Sequence, residues 1–342
     1  MSIRDIFGSS FFKYLMQRLG QCVLVIFIGI TITFIIPRLA PTNPVEQKIN
    51  QMMTGPANIH PEAIQAFRES MNDLYGLKGT MWQQYVNFWG RFLRGDLGPS
   101  LFSYPHPVTD LIWRSMPWTI GLLLTTSILS WIIGNILGGL AGYYPEKRWT
   151  KWVELTANCM RPIPYYIFAF ILLIIFCFLI PIFPTSGAYA PGVKEGWNLA
   201  FFASVLYHLF LPALSLVLTS IGAWLLGMRS LVSNIVSEDY VQYAEVGGVD
   251  KNTILNKYVM KNALLPQITG LGMSLGGIFS GALITEVVFG IPGIGNLSYR
   301  AITNFDYSLI MGVSIFSIVG VSVSVLVVDL LYPLFDPRVR LN

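Results

Sequence analysis

The stretch EDYVQYAEVGGVDKNTILNKYVMKNALLP, Glu238 to Pro266, is a polar segment between two apolar runs that are each long enough to cross a bilayer. It carries charges of both signs and two adjacent glycines, Gly247 and Gly248. Glycine readily takes the left-handed conformation that ends a helix. Asp250 follows directly and suits the N-cap of a new helix. The pattern therefore predicts two helices that meet at the glycine pair.

The predicted helices, Ser233 to Val246 and Lys251 to Ala263, each present an apolar side. Their apolar positions are Ile235, Val236, Tyr240 and Tyr243 in the first helix, and Ile254, Leu255, Tyr258 and Val259 in the second. Lys257 and Lys261 lie four residues apart on another face of the second helix. Pro266 is expected to open the next apolar span, where a missing N–H costs little. We call residues 230–264 the elbow; amphipathicity alone fits a connector resting on the membrane or a docking site for a partner.

The rest of the chain has the composition of a membrane protein. Of its 342 residues, 54% are hydrophobic and 12% are charged, whereas soluble domains carry roughly 25% charged residues. Because no β-barrel alternation is visible, we predict an all-α membrane protein. Six transmembrane helices are expected, at 15–37, 119–142, 160–183, 203–228, 265–288 and 308–332. Three prolines, Pro162, Pro164 and Pro212, should break or kink the third and fourth spans.

Basic residues in the short connections predict the orientation. They are Arg4, Lys13 and Arg18 before span one; Lys147, Arg148 and Lys151 after span two; Arg229, Lys251, Lys257 and Lys261 around the elbow; and Arg338 and Arg340 in the tail. Both termini and the elbow are therefore expected to be cytoplasmic. The apolar core of the first span is too long for a signal peptide, so residues 1–37 are predicted to be an N-terminal segment with a retained helix.

Residues 38–118 are predicted to form an extracytoplasmic cap, and residues 119–342 a core with the other five spans. In the cap, HPEAIQAFRESMNDLYGL has apolar residues at helical spacing, and QQYVNFWGRFLRGDLG suggests a second helix. The region is too short for an independent enzyme. No hydrolase or metalloprotease motif accompanies His208, and no catalytic or metal-binding residue is predicted. A phosphate-binding loop is absent too, so ATP would have to bind to another chain.

Two acidic residues lie near the ends of predicted spans, Glu286 in span five and Asp329 in span six. Acids within a membrane are costly and often functional, although at a span end they can also reach water or cap helices. We expect Asp329 to have a structural role in anchoring the last helix, with Arg338 or Arg340 as its partner.

The elbow resembles the cytoplasmic loop by which permeases of bacterial ABC importers dock on their ATPase. The matching positions are Ala244, Gly248, Leu265 and Pro266, and the resemblance is closest to the dipeptide and oligopeptide permease family. It extends along the chain in order and spacing. Further similar motifs are RLAPTNPV (Arg38–Val45), PTSG (Pro184–Gly187), ITEVVFGIPGIGNL (Ile284–Leu297) and VVDLLYPLFDPRVR (Val327–Arg340).

The resemblance implies a multi-pass subunit in the cytoplasmic membrane of a prokaryote. Its implied partners are a second, homologous permease, two ATPases that bind ATP and Mg, and an extracellular solute-binding protein, with no nucleic acid and no cofactor in this chain. The implied coupling residues are Tyr243, Ala244, Glu245, Gly248, Val249, Asp250 and Lys257. The implied residues of the outer mouth are Glu286, Pro292 and Gly293.

The resemblance leaves the cargo open. Oligopeptides are expected first, oligosaccharides are the alternative, and nickel chelates come third, because relatives of this family import all three. The family usually has basic residues at the positions of Glu245 and Gly247, so the docking surface here is expected to suit one dedicated ATPase. Outside transport, the alternative is a membrane scaffold that uses the elbow as a plain docking site. A secondary transporter would show charges near the midplane and inverted repeats, and neither is visible.

Overall fold

The computed structural model describes residues 9–39, 44–53 and 61–335, and within them every regular element is a helix apart from one β-bridge between Pro99 and Pro107. We number the helices α1 to α13. They are α1 (Ser9–Leu39), α2 (Pro44–Met53), α3 (Pro61–Leu74), α4 (Met81–Phe92), α5 (Val108–Tyr143), α6 (Arg148–Met160), α7 (Tyr165–Leu179), α8 (Leu199–Val236), α9 (Asp239–Val246), α10 (Lys251–Ser280), α11 (Leu283–Val288), α12 (Ile294–Thr303) and α13 (Tyr307–Phe335).

Five of these helices, α1, α5, α8, α10 and α13, are long and apolar enough to cross a membrane. A sixth crossing is available if α6 and α7, which meet at an angle of 98°, form one broken span. The all-α architecture and a number of five to six spans agree with the sequence prediction. The orientation of the termini remains a prediction.

The predicted third span, 160–183, has the wrong boundaries. The helix that fits it, α7, begins at Tyr165 after a break at Pro162 and Pro164, and its last part, Ile174–Leu179, is a π-helix. The break has a simple cause, because neither proline has a backbone N–H to continue the helical hydrogen bonds, and Pro164 also disfavours helical geometry at Ile163. By contrast α8 continues through Pro212 without interruption. In lipid, unwinding would leave backbone groups without partners, so a helix tolerates one proline.

The boundaries of the fifth span, 265–288, are also wrong. Pro266 does not open a new helix, because it lies inside α10, which runs from Lys251 to Ser280. A π-helical stretch, Ile254–Met260, is part of this helix. The second elbow helix and the fifth span are therefore one helix. It ends before Gly281, which has a φ of +75°.

The first elbow helix is shorter than predicted. Instead of running from Ser233 to Val246, the chain leaves α8 after Val236 and turns at Ser237 and Glu238 before α9 begins at Asp239. The Ser237 hydroxyl donates to the carbonyl of Asn234, which is the local competition that makes serine a poor interior helix residue. As a result, Ile235, Val236, Tyr240 and Tyr243 do not share the face of a single helix.

Close packing of α5 on α8 forms the centre of the bundle. Three glycines of α5 face α8 so closely that an added Cβ would overlap it: Gly134, Gly138 and Gly142. Small residues let helix backbones approach in lipid, where dispersion and hydrogen bonds replace the hydrophobic effect. Outside this centre, α1 packs on α13.

The predicted amphipathic helix before residue 80 is confirmed as α3. Its Met71 is buried in a small apolar cluster with Val45, Ile49 and Leu101. The second predicted helix is α4, which begins with a capping box at Thr80. It lies along α1, where Tyr85 contacts Thr31 through a 2.8 Å hydroxyl hydrogen bond. The placement of this region outside the membrane remains a prediction.

Candidate functional site

The elbow turns at a helix C-cap of the Schellman type. The amide of Val249 donates to the carbonyl of Ala244 and that of Gly248 to the carbonyl of Glu245, each at 3.0 Å. Gly248 has a φ of +74°, as this motif requires. The next helix begins at once, because the Asp250 carboxylate accepts from the amides at the start of α10, at 3.1 and 3.2 Å. The C-cap of α9 and the N-cap of α10 together fix the angle of the elbow.

An apolar cluster holds the elbow against the long helices. Its fully buried members come from α8, α9 and α10: Met228, Val232, Val241, Ile254, Val259 and Ala263. Ala244 and Val249 pack against this cluster. Between α9 and α10, the side-chain amide of Asn262 donates to the hydroxyl of Tyr240 at 3.2 Å. The elbow is therefore a firmly packed part of the bundle.

The opposite side of the elbow is open. Tyr243 is 77% exposed and Val246 is 89% exposed, and Glu245 and Lys257 are exposed beside them. No heavy atom lies within 4 Å of the position that a Cβ on Gly248 would occupy. Of the predicted coupling residues, Ala244 and Val249 thus face the cluster, while the others face outward.

The structure connects the elbow to the opposite end of the bundle through α10. This helix starts at the Asp250 cap and ends before Gly281, after which α11 carries Glu286. At about 1.5 Å per residue, its 30 residues span about 45 Å. This connection differs from the prediction, in which Pro266 starts a new helix.

Glu286 lies at the far end of this connection and is fully buried. Its Oε1 accepts from the hydroxyl of Thr119 at 2.8 Å and from the amide of Ala282 at 3.3 Å. Its Oε2 accepts from the amide of Asn296 at 3.1 Å. Thr119 itself accepts from the amide of Ile294 at 2.7 Å. One carboxylate thereby ties together α5, α11 and the start of α12.

Glycine is required around this carboxylate. A Cβ on Gly293 would overlap Glu286 Oε2 and stand 2.5 Å from Thr119 Oγ1, and one on Gly295 would stand 2.6 Å from Leu283 Cα. Pro292, by contrast, is exposed. Of the three residues predicted at the outer mouth, Glu286 and Gly293 are in contact, and Pro292 lies on the surface next to them. We call Thr119, Glu286, Gly293 and Asn296 the carboxylate cluster.

Thr119 was not predicted, and no sequence signal distinguishes it from other threonines in apolar spans. A second buried acid, Asp306, was also missed. Its carboxylate accepts from the hydroxyl of Ser100 and the amides of Phe102 and Leu309. An aspartate before the first apolar residue of a span is a typical N-cap, so this signal could have been found.

Asp329 pairs with the first helix. Its carboxylate lies 3.2 Å from Arg18 Nη1, and both side chains are partly exposed. The predicted partners, Arg338 and Arg340, lie outside the described residues. The hydroxyl of Tyr14 also donates to the Asp329 carbonyl, at 2.9 Å, so this contact joins α1 to α13.

Within the described part of the chain, no group of three or more His, Cys, Asp or Glu side chains could hold a metal ion. The arrangement has two features instead: an exposed elbow at one end and a buried carboxylate cluster at the other. One helix joins them.

Comparison with known proteins shows that this sequence is similar to those of transport proteins. A family described as binding-protein-dependent transport system inner membrane component matches residues 134–341. The chain is 31% identical to the oligopeptide transport system permease protein AppB of Bacillus subtilis, over 96% of this chain and 99% of that protein. With the same coverage, it is 28% identical to the oligopeptide permease OppB of Haemophilus influenzae and 27% identical to the dipeptide permease DppB of Lactococcus lactis.

Proposed function

The chain belongs to the family of binding-protein-dependent transport system inner membrane components, and we propose that it is a permease subunit of an ATP-driven importer of oligopeptides. One observation carries the proposal: similarity to permeases named for oligopeptides and dipeptides extends over 96% of the chain. The cargo follows from those names. The ATP-driven step follows from the family and from the open elbow.

The proposed complex contains four further chains. A second, homologous permease would complete the pathway, two ATPases would bind ATP and Mg on the cytoplasmic side, and an extracellular binding protein would deliver the peptide. The proposed orientation places the elbow and both termini in the cytoplasm of a prokaryote. The carboxylate cluster would then lie at the outer end of the bundle.

The exposed side of the elbow suits docking on an ATPase. Tyr243 and Val246 supply apolar surface, and exposed apolar side chains grouped on one side of a helix are typical of interfaces. Gly248 leaves room for another backbone to approach. Since Ala244 and Val249 pack inward, a force on the exposed residues would reach α8 and α10 directly.

The proposed mechanism is alternating access. Closure of the ATPase dimer would move the elbow, and α10 would carry that movement to the carboxylate cluster. The pathway would open outward to accept a peptide and inward after hydrolysis. Release into the cytoplasm requires only weak contacts with the cargo, because tight binding in the pathway would slow each cycle.

The cargo is tested by ATP hydrolysis of the reconstituted complex, with the binding protein loaded in turn with short peptides and with short oligosaccharides. Stimulation by peptides alone is expected. Stimulation by oligosaccharides alone would show that the cargo is an oligosaccharide and would still support an importer. If neither stimulates hydrolysis in a complex shown to be assembled, the proposed peptide cargo is wrong. The remaining alternatives are then a metal chelate as cargo or a membrane scaffold without transport.

The coupling role is tested by replacing Gly248 with leucine. The side chain would fill the open space in front of the elbow, so binding-protein-stimulated ATP hydrolysis and peptide uptake should both fall strongly. The matched control is Gly95→Leu, because Gly95 also has a φ of +74°, is also exposed, and offers an added Cβ the same open space, with nothing within 4 Å. If both variants transport like the wild type, the elbow is not the docking site.

A further inference from the structure

We propose that α6 is an interfacial helix that binds the headgroups of anionic phospholipids in the cytoplasmic leaflet. The assignment of α6 to the cytoplasmic leaflet depends on the orientation proposed above. The assignment of its ligand does not, because it follows from the residues of α6 and from its angle to α7.

The angle between α6 and α7 places α6 near the membrane surface. The two helices meet at 98°, so only one of them can run along the membrane normal. α7 has no charged residue, whereas α6 begins at Arg148 and contains Lys151 and Glu154. Charged residues are costly in the bilayer core. α7 therefore belongs in the core, and α6 lies close to the plane of the interface.

One edge of α6 is fixed to the bundle. Thr150 and Ala157 are buried on this edge, and Gly222 of α8 packs against the Ala157 backbone. Next to them, the Glu154 carboxylate lies 2.9 Å from Arg229 Nη2 of α8. These contacts prevent α6 from turning its other edges inward.

A second edge exposes large apolar side chains. Trp152 is 67% exposed, Leu155 is 51% exposed and Trp149 is 40% exposed. At a membrane interface these residues would insert among the acyl chains, and tryptophan is enriched at that depth. The edge therefore has the chemistry of an amphipathic helix lying in the interface.

The positive charges lie on the same exposed side and in the loop before it, because Arg148 and Lys151 are each one helical turn from Trp152 or Leu155. Lys147, Arg148 and Lys151 are exposed, and none has a carboxylate within ion-pair distance among the residues that the structure describes. Glu146 is the one acidic residue from 144 to 153, so this stretch has an excess of two positive charges. Basic residues beside inserted tryptophans match the phosphate layer of an anionic leaflet. This complementarity favours phospholipid over a protein surface as the occupant.

The direct test uses photocrosslinking from position 152. Trp152 is replaced by p-benzoylphenylalanine, and the full-length chain is placed in nanodiscs of phosphatidylcholine and phosphatidylglycerol. With about 30% phosphatidylglycerol and an attraction of about fivefold per basic residue near the surface, about two thirds of the lipid adducts or more should be phosphatidylglycerol. The adducts are identified by mass spectrometry.

Two controls isolate the role of charge. The triple variant Lys147→Gln, Arg148→Gln and Lys151→Gln should bring the adducts back to the mole fraction of phosphatidylglycerol. The same label at Leu206, which is 73% exposed on α8 in a stretch from 195 to 228 that has no lysine or arginine, should give that fraction from the start. Native mass spectrometry of the unlabelled chain and the triple variant measures retained phosphatidylglycerol independently of the label.

Adducts at position 152 that match the mole fraction would overturn the proposal, as would crosslinks to protein or the absence of adducts. Equal lipid retention by wild type and triple variant would also overturn it. None of these measurements involves cargo, ATP or a second permease. Their failure would leave the proposed transport function unchanged.

Discussion

The carboxylate cluster leads to a sharp expectation for Glu286→Gln, a change of nearly equal volume. Each oxygen of Glu286 faces a backbone amide, Ala282 on one side and Asn296 on the other. Neither amide can act as an acceptor. The NH₂ group of a glutamine must therefore point at one of the two N–H groups, whichever way the side chain is turned.

The expected cost follows from this geometry. The variant loses one hydrogen bond to a charged acceptor, which is worth about 1.5–3 kcal/mol, and leaves a buried donor without a partner. At about 2.1 cal/mol/K of unfolding entropy per residue, about 2 kcal/mol lowers the melting temperature of a chain of this length by about 3 °C. Burial makes the loss visible, because water cannot replace the missing acceptor.

The assay is thermal unfolding of the full-length chain in nanodiscs, followed by tryptophan fluorescence. Glu62→Gln is the matched control, because the same change is made there on an exposed side chain. A double-mutant cycle with Thr119→Val should show a coupling of about 0.5–3 kcal/mol. If Glu286→Gln melts within about 1 °C of the control, with no coupling to Thr119, the carboxylate does not hold the cluster together.

Three further predictions concern single residues. Gly248→Ala should cost about 1–2 kcal/mol, because the φ of +74° is strained for any residue with a Cβ; melting should show this loss against Gly277→Ala, where a Cβ meets nothing within 4 Å. Gly293→Ala should lower the free energy of unfolding by about 1–3 kcal/mol or more, because the added Cβ overpacks the site. A melting temperature equal to that of Gly277→Ala would refute the tight contact. The hydrogen bond from Arg91 lowers the pKa of Asp96, so its stabilisation is present above the ordinary pKa of about 3.9 and disappears as the pH falls through the lowered value. The melting difference between wild type and Asp96→Asn should shrink over that range, and a constant difference would argue against it.

The spans could be predicted from the sequence, whereas their ends could not. Hydropathy identifies α1, α5, α8, α10 and α13 because the bilayer demands long apolar helices. Hydropathy does not distinguish a proline that breaks a helix from a proline that lies inside a continuous helix. That difference depends on the neighbourhood, since a paired break can be stabilised by other helices and a lone proline costs less than unwinding in lipid.

The two parts of the site differ in the same way. The elbow was accessible to prediction, because glycine and aspartate act locally at Gly248 and Asp250. The carboxylate cluster was accessible only through Glu286 and Gly293, since Thr119 is 167 residues away from Glu286 in sequence and becomes its neighbour only through the fold. Hydrogen bonds between distant segments leave no periodic pattern that a single sequence could show.

The continuity of α10 has a mechanical consequence. Because α10 is one continuous helix of about 45 Å, it can act as a lever arm, and a tilt of about 5° about its elbow end would displace its other end by about 4 Å. That distance exceeds the length of a hydrogen bond, so the tilt would be enough to separate Glu286 from Thr119 if α5 stayed in place. A small angular change at the elbow would then become an all-or-none event at the opposite end of the bundle, with Gly281 as the joint at which rotation becomes separation.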